Sequence, residues 1–270
     1  MPGAEGEYKK LLSLSNPVSN GRGLARLTNF YSILGRIEDS KEHLKQFIEL
    51  AQKMGQKVWE GYVSLNFGNN LLRMGFYEEA LEKISTAQKI AVELEDWALE
   101  RRALFSKGMV LVMMGSSREA KKVAEELEEL CQKSLNKRII RLYHCLEGMT
   151  ALEQGNYDSA IELFEKALSL DPDYYKSYLE LLAMAYFRSG NLKKAISEYE
   201  KIINCPSGLR TYADVYVKSF YMLGKIYEEQ GDTTEAIELY EKFLDMWKDA
   251  DSGLPEVEDA RIRVDNLKSQ

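Results

Sequence analysis

Apolar side chains recur every three or four residues along most of this chain, and the recurrence breaks at regular places. Between Leu142 and Pro172 the first stripe is Leu142, Leu146, Met149 and Leu152, and it stops at Gly155-Asn156. A second stripe begins at Tyr157, continues through Ala160, Phe164, Ala167 and Leu168, and ends at Pro172. This spacing predicts a helix, a tight turn and a second helix. The glycine suits the position just past a helix end, where a left-handed backbone is costly for any residue with a Cβ.

The same frame recurs. Gly35, Gly75, Gly115, Gly155, Gly190 and Gly231 are separated by 40, 40, 40, 35 and 41 residues. A fixed interval of that size is the signature of a solenoid. Five residues after each glycine stands a small residue: Ser40, Ala80, Ala120, Ala160, Ala195 or Ala236. Small residues there let two helices approach closely. Four positions further on, most copies carry a large side chain: Leu44, Ile84, Phe164, Tyr199 and Tyr240, with Ala124 the exception.

On these residues the chain resembles the tetratricopeptide repeat family. The best copy is Gly148, Tyr157, Ala160, Phe164, Ala167 and Pro172, followed by Leu223, Gly224, Tyr227, Gly231, Ala236 and Tyr240. Clear copies also start near Gly61 and Arg101, another starts at Lys176 with Ala183 in place of the helix-A glycine, and one near Gly21 has Thr28 there. The early 40-residue interval is similar to a longer subtype of the repeat. The last ninety residues are similar to the closing segment of bacterial multidomain signalling proteins. The resemblance implies an all-α fold, a right-handed α-α superhelix of about six helix pairs with a C-terminal capping helix. The expected division is an N-terminal tail and short helix over 1–19, an array over 20–249 and a cap over 250–270. Within the array the units are 20–56, 57–96, 97–136, 137–172, 173–204 and 213–249. A break at Cys205-Pro206-Ser207-Gly208 is the longest internal loop expected, and Glu256 to Lys268 is expected to close the last hydrophobic face.

Composition narrows the function. Charged residues make up 29% of the 270 positions, and the formal net charge is −7. That balance argues against a general nucleic-acid binder, which needs a basic footprint. No stretch approaches 18 consecutive apolar residues, and the start MPGAEGEYKK carries no apolar signal core, so a cytoplasmic chain with no membrane partner is expected. The three cysteines, Cys131, Cys145 and Cys205, have no metal-ligand or CxxC spacing and read as buried free thiols. Charge is uneven: residues 9–56 hold eight basic and four acidic side chains, and residues 226–260 hold twelve acidic and two basic. Steering of a partner or weak self-association would use such polarity, and ordinary solvated helix faces would also produce it. His43 and His144 are the only histidines, and no nucleophile elbow, phosphate loop or HExxH motif is present. Neither an enzyme nor a cofactor is expected.

What the repeat leaves for function is its inner face. By the family resemblance, positions 2, 5, 9, 12 and 13 of each unit line a concave groove. At about 100° per residue these positions cluster on one side of a helix. The unit at Gly61 places Tyr62, Leu65, Asn69, Leu72 and Arg73 there. The next places Arg102, Phe105, Met109, Val112 and Met113. Leu142, Cys145, Met149, Leu152 and Glu153 follow, then Ser177, Glu180, Met184, Phe187 and Arg188. The candidate site is therefore Asn69, Arg73, Arg102, Phe105, Met109, Met113, Met149, Met184 and Arg188: a methionine-rich stripe with arginines at its margins. Methionine suits surfaces that accept varied apolar partners. The expected partner is a protein segment or peptide, bound by a monomer or a weakly self-associating chain; the alternatives are a ligand-sensing regulatory domain and a self-assembly module, and the stripe also reads as core closed over by longer helices or filled by Tyr8 to Leu12. If the stripe is open, Met109→Glu or Met149→Glu should abolish binding and leave the fold intact. Chaperone-tail capture, as in some family members, is not expected, because Leu65, Ser106, Leu142 and Leu146 occupy positions where those members carry polar or cationic groups.

Overall fold

The computed structural model describes residues 3–170, 176–205 and 213–269. Pro172 and the Pro206–Gly208 break lie outside the described residues, as does the side chain of Ser177. Fourteen α-helices and one short 3-10 turn make up the regular structure among the described residues. The fold is all-α, built from paired helices in the manner of a solenoid.

The chain divides into two compact units. The N unit is Met1–Leu130 with Asp249–Asp251, and the C unit is Cys131–Lys248 with Ser252–Gln270.

In the N unit, α1 (Ala4–Leu12) precedes α2 (Pro17–Ile33), α3 (Ile37–Lys53), α4 (Lys57–Arg73), α5 (Tyr77–Glu93), α6 (Trp97–Met113) and α7 (Ser117–Lys133), the last three residues of which belong to the C unit. Helices α2 to α7 are each 17 residues long. Their starts are 20 residues apart, so the 40-residue unit is two equal halves. The turns explain this. Gly35, Gly75 and Gly115 have φ of 71°, 83° and 72°, and the turns between units carry the same left-handed geometry at Gly55 (65°) and Glu95 (53°). In each the next backbone N–H reaches back to close the helix end, as Gln56 N–H does to Ala51 O at 2.8 Å and Asp96 N–H to Ala91 O at 2.9 Å.

A second set of glycines acts through space. A Cβ on Gly68 would meet Ile84 Cγ1 at 2.7 Å, and one on Gly148 would meet the Phe164 ring at 2.6 Å. Ile84, Phe164 and Tyr240, each nine positions after a turn glycine, thus pack closely against the partner helix.

The N unit is closed at its start. Tyr8 and Leu12 of α1 pack against Leu27, Phe30 and Tyr31 of α2, and Tyr31 Oη donates to Glu5 Oε1 at 2.8 Å. α1 therefore covers the face a preceding repeat would cover, and not the groove positions Arg22, Ala25 and Asn29. Asp251 joins this unit by accepting from Glu38 N–H at 3.1 Å, which caps α3.

In the C unit, the turn Lys137–Ile140 leads into α8 (Arg141–Glu153), α9 (Tyr157–Leu170), α10 (Lys176–Arg188), α11 (Leu192–Ile203), α12 (Ala213–Gln230), α13 (Thr233–Met246) and α14 (Pro255–Lys268). These helices are shorter except α12, matching the contraction of the repeat interval. Val257, Ala260, Val264 and Leu267 of α14 are buried, so α14 closes the last apolar face.

Candidate partner-binding face

In the N unit the candidate residues come from the first helix of each pair. α4 supplies Asn69 and Arg73; α6 supplies Arg102, Phe105, Met109 and Met113. Asn69, Arg73, Phe105 and Met109 are half-buried, Arg102 is exposed, and Met113 is 37% exposed. On α6 the three apolar members are spaced four apart, so they form one row with solvent access. The packing positions between them are closed: Leu104 is 1% exposed and Leu111 6%. Leu65 and Val112 are also buried, so the face is narrower than the sequence set implies.

Polar groups flank this row. Asn69 Oδ1 is shielded from solvent and has no hydrogen-bond partner. A buried acceptor left unmatched costs about 1–3 kcal/mol. Beside it, Asn70 Nδ2 donates to Asn29 Oδ1 at 2.9 Å, linking α4 to α2. The Tyr62 phenol is raised above its ordinary value by burial first and by the Asp96 carboxylate second.

The C unit differs. Met149 is 7% exposed, with Cys145 (0%) and Leu152 (4%) beside it. This side of α8 is packed, so Met149 is a core residue and Met149→Glu is a core substitution. The reason is local: three of the four apolar groove positions of α8 are covered together and only Leu142 is half-buried, which periodicity alone does not distinguish from an open stripe. Burial pushes the Cys145 thiol up, against a small opposing pull from Arg141, and so keeps it protonated. Met184 is half-buried, and Arg188 is exposed but occupied: its guanidinium pairs with Glu153 at 2.6 Å.

The end of the C unit is tied up further. Tyr221 Oη donates to Asp259 Oδ2 at 2.7 Å, and Arg263 bonds both Asp259 (2.6 Å) and Glu228 (2.9 Å). Tyr240 Oη also donates to Glu228, at 2.7 Å, and Lys218 pairs with Glu256. The groove positions of α12 are thereby engaged by α14. Burial would raise the Asp259 carboxyl, but the hydrogen bonds from Arg263 and Tyr221 outweigh it and hold it low.

Sequence reasoning missed one organising feature. The first helices of the N-unit pairs (α2, α4, α6) carry seven basic and two acidic side chains, whereas their second helices (α3, α5, α7) carry nine basic and thirteen acidic. Sorting charges by helix rather than by stretch of chain makes it visible. His43 Nδ1 lies 2.7 Å from Asp39 O and its ring lies against Tyr31, while the His144 ring lies beside Tyr143. Among the described residues no cluster of His, Cys, Asp or Glu is arranged to hold a metal ion, and no helix is long and apolar enough to cross a membrane.

Comparison with known proteins places this architecture. Residues 151–205 and 217–246 match family models of the tetratricopeptide repeat, and these segments carry that repeat. A tetratricopeptide repeat protein of known structure from Parabacteroides merdae aligns over 100% of this chain and 98% of its own, with a TM-score of 0.60 at 18% identity. The Photosystem I assembly protein Ycf3 of a Synechococcus species is 30% identical over 110 residues, which cover 38% of this chain and 61% of that protein. A probable UDP-N-acetylglucosamine–peptide N-acetylglucosaminyltransferase, SPINDLY of Hordeum vulgare, is 27% identical over 193 residues, covering 69% of this chain and 18% of that enzyme. The chain thus spans less than two thirds of either curated relative.

Proposed function

We propose that this chain is a non-catalytic scaffold that binds a segment of a partner protein along the first-helix face of its N unit. The observation that carries the reading is the solvent-reachable row Phe105, Met109 and Met113 on α6, next to Asn69, Arg73 and Arg102. Apolar groups supply contact area, the asparagine supplies a backbone acceptor, and the arginines set orientation. Met184 and Arg188 of the C unit are secondary members, and Met149 supports the fold. The chain acts as a monomer in this reading, since α1 covers the first pair and α14 the last. Three free cysteines suit a reducing, cytoplasmic compartment. The match to SPINDLY carries no catalytic inference, because it reaches only 18% of that enzyme.

The test is co-purification from the source cell with wild type and Met109→Glu. The variant should lose the partner while its helical circular dichroism and Tm stay at wild-type values. Retained partner binding would refute the reading.

A further inference from the structure

The seam between α2 and α4 holds a cavity of about 290 Å³, lined by Val18, Gly21, Arg22, Phe47, Trp59 and Tyr62 among others. Its walls are built deliberately. A Cβ on Gly21 would lie 3.1 Å from Trp59 Cζ3, so glycine lets the indole rest against α2. Phe47 backs that indole, with ring centroids 6.3 Å apart. The volume lies at the lower edge of sites that enclose a whole small molecule, roughly 300–1,000 Å³. It suits a single large apolar side chain.

Charge decides what carries that side chain. Arg22, on the cavity rim, is exposed and forms no ion pair among the described residues; the same is true of Arg102 on α6. The fifteen groove positions of the N unit include Arg22, Arg73 and Arg102 and no Asp or Glu. The Asp96 carboxylate is engaged by the N–H groups of Ala98 and Leu99. Arg22 and Arg102, without ion pairs among the described residues and set among apolar groups, favour acidic peptide over nucleic acid, whose phosphates would gain nothing from the Phe105–Met113 row.

We propose that this cavity is the anchor pocket for one aromatic or leucyl side chain of an internal acidic segment of a partner protein, with a flanking Asp or Glu paired to Arg22. This rests on the groove reading above and adds the chemistry of the occupant.

The test is selection of a displayed library of random 16-residue peptides on the immobilised chain. Selected sequences are then synthesised with both ends blocked and titrated by tryptophan emission. In a Trp97→Phe background the reporters are Trp59, at the cavity, and Trp247, which is 1% exposed. The expected result is enrichment of Asp and Glu around an aromatic residue or leucine, and a saturable change in emission. Binding should be at least about tenfold weaker in Arg22→Glu, and weaker at 200 than at 50 mM salt. The Tm of Arg22→Glu should match wild type. Selected peptides without acidic enrichment, equal affinity for Arg22→Glu, no selectable peptide, or displacement of the peptide by single-stranded RNA of 20 nucleotides would each overturn the proposal. If peptide binding is abolished by Met109→Glu but untouched by Arg22→Glu, the anchor pocket falls and the groove reading stands. If neither substitution matters, both fall.

Discussion

The two units use one repeat frame to opposite ends. In the C unit, polar groups on the first helices are spent on neighbouring helices: Glu153 on Arg188, Glu228 on Arg263 and Tyr221 on Asp259. Their apolar companions Cys145, Met149 and Leu152 on α8 are buried. In the N unit, Arg22 and Arg102 stand without ion pairs among the described residues, and Phe105, Met109 and Met113 keep solvent access. A solenoid can therefore divide its labour by sequence alone. Where adjacent units supply complementary charges, the inner face becomes structure; where they supply one sign, it remains available to a partner.

The contrast is broken most directly by placing one charge in each unit. Met149→Glu should cost at least about 3 kcal/mol, because an ionised carboxylate is forced into a packed site. Met109→Glu should cost under about 1 kcal/mol. Thermal unfolding of the two variants side by side checks this, and equal costs would erase the distinction between the faces.

A smaller effect is expected at the C-terminal network. Arg263→Met leaves Glu228 and Asp259 facing each other without their cation. The guanidinium is 30% exposed, which screens the interaction, so a loss of about 1–2 kcal/mol is expected by urea unfolding. The network also sets a pH dependence. The Asp259 carboxyl is held below its unfolded value, so its contribution is full above the unfolded carboxylate pKa of about 3.9 and is lost as pH falls through the lower, folded pKa. Asp259→Asn should flatten that part of the acid limb. An unchanged limb would remove Asp259 from the ledger.

The smallest effect concerns the turns. Glu95 holds φ 53° where Gly55 stands in the preceding copy. Glu95→Gly should raise stability by about 0.5–1 kcal/mol, and Gly55→Ala should lower it by a similar amount. A fall in Tm for Glu95→Gly would show that the side chain is stabilised by something other than backbone geometry.

Much of the fold was legible because helix pairing depends on local rules. Glycines 35, 75, 115, 155, 190 and 231 all adopt positive φ, and the small residues that follow them are all buried. The 20-residue half-period was harder to read, since Glu95 hides one of its turns. The site was less legible, for a physical reason. Met109 and Met149 occupy the same repeat position with the same period, yet one reaches solvent and the other does not. Exposure at that position depends on what neighbouring helices place against it, and those neighbours differ between units while the frame does not. The charge segregation needed helix identity before it could be seen. The α2–α4 cavity needed the contact of Trp59 with Gly21, which lie 38 residues apart.

The central claim is that the partner lies on the first-helix face of the N unit. Site-specific photo-crosslinking tests it most directly, with benzoylphenylalanine at residue 109 on α6 or at exposed residue 82 on α5. Partner adducts should form from residue 109 and be absent from residue 82. Adducts from residue 82 with none from residue 109 would contradict the account.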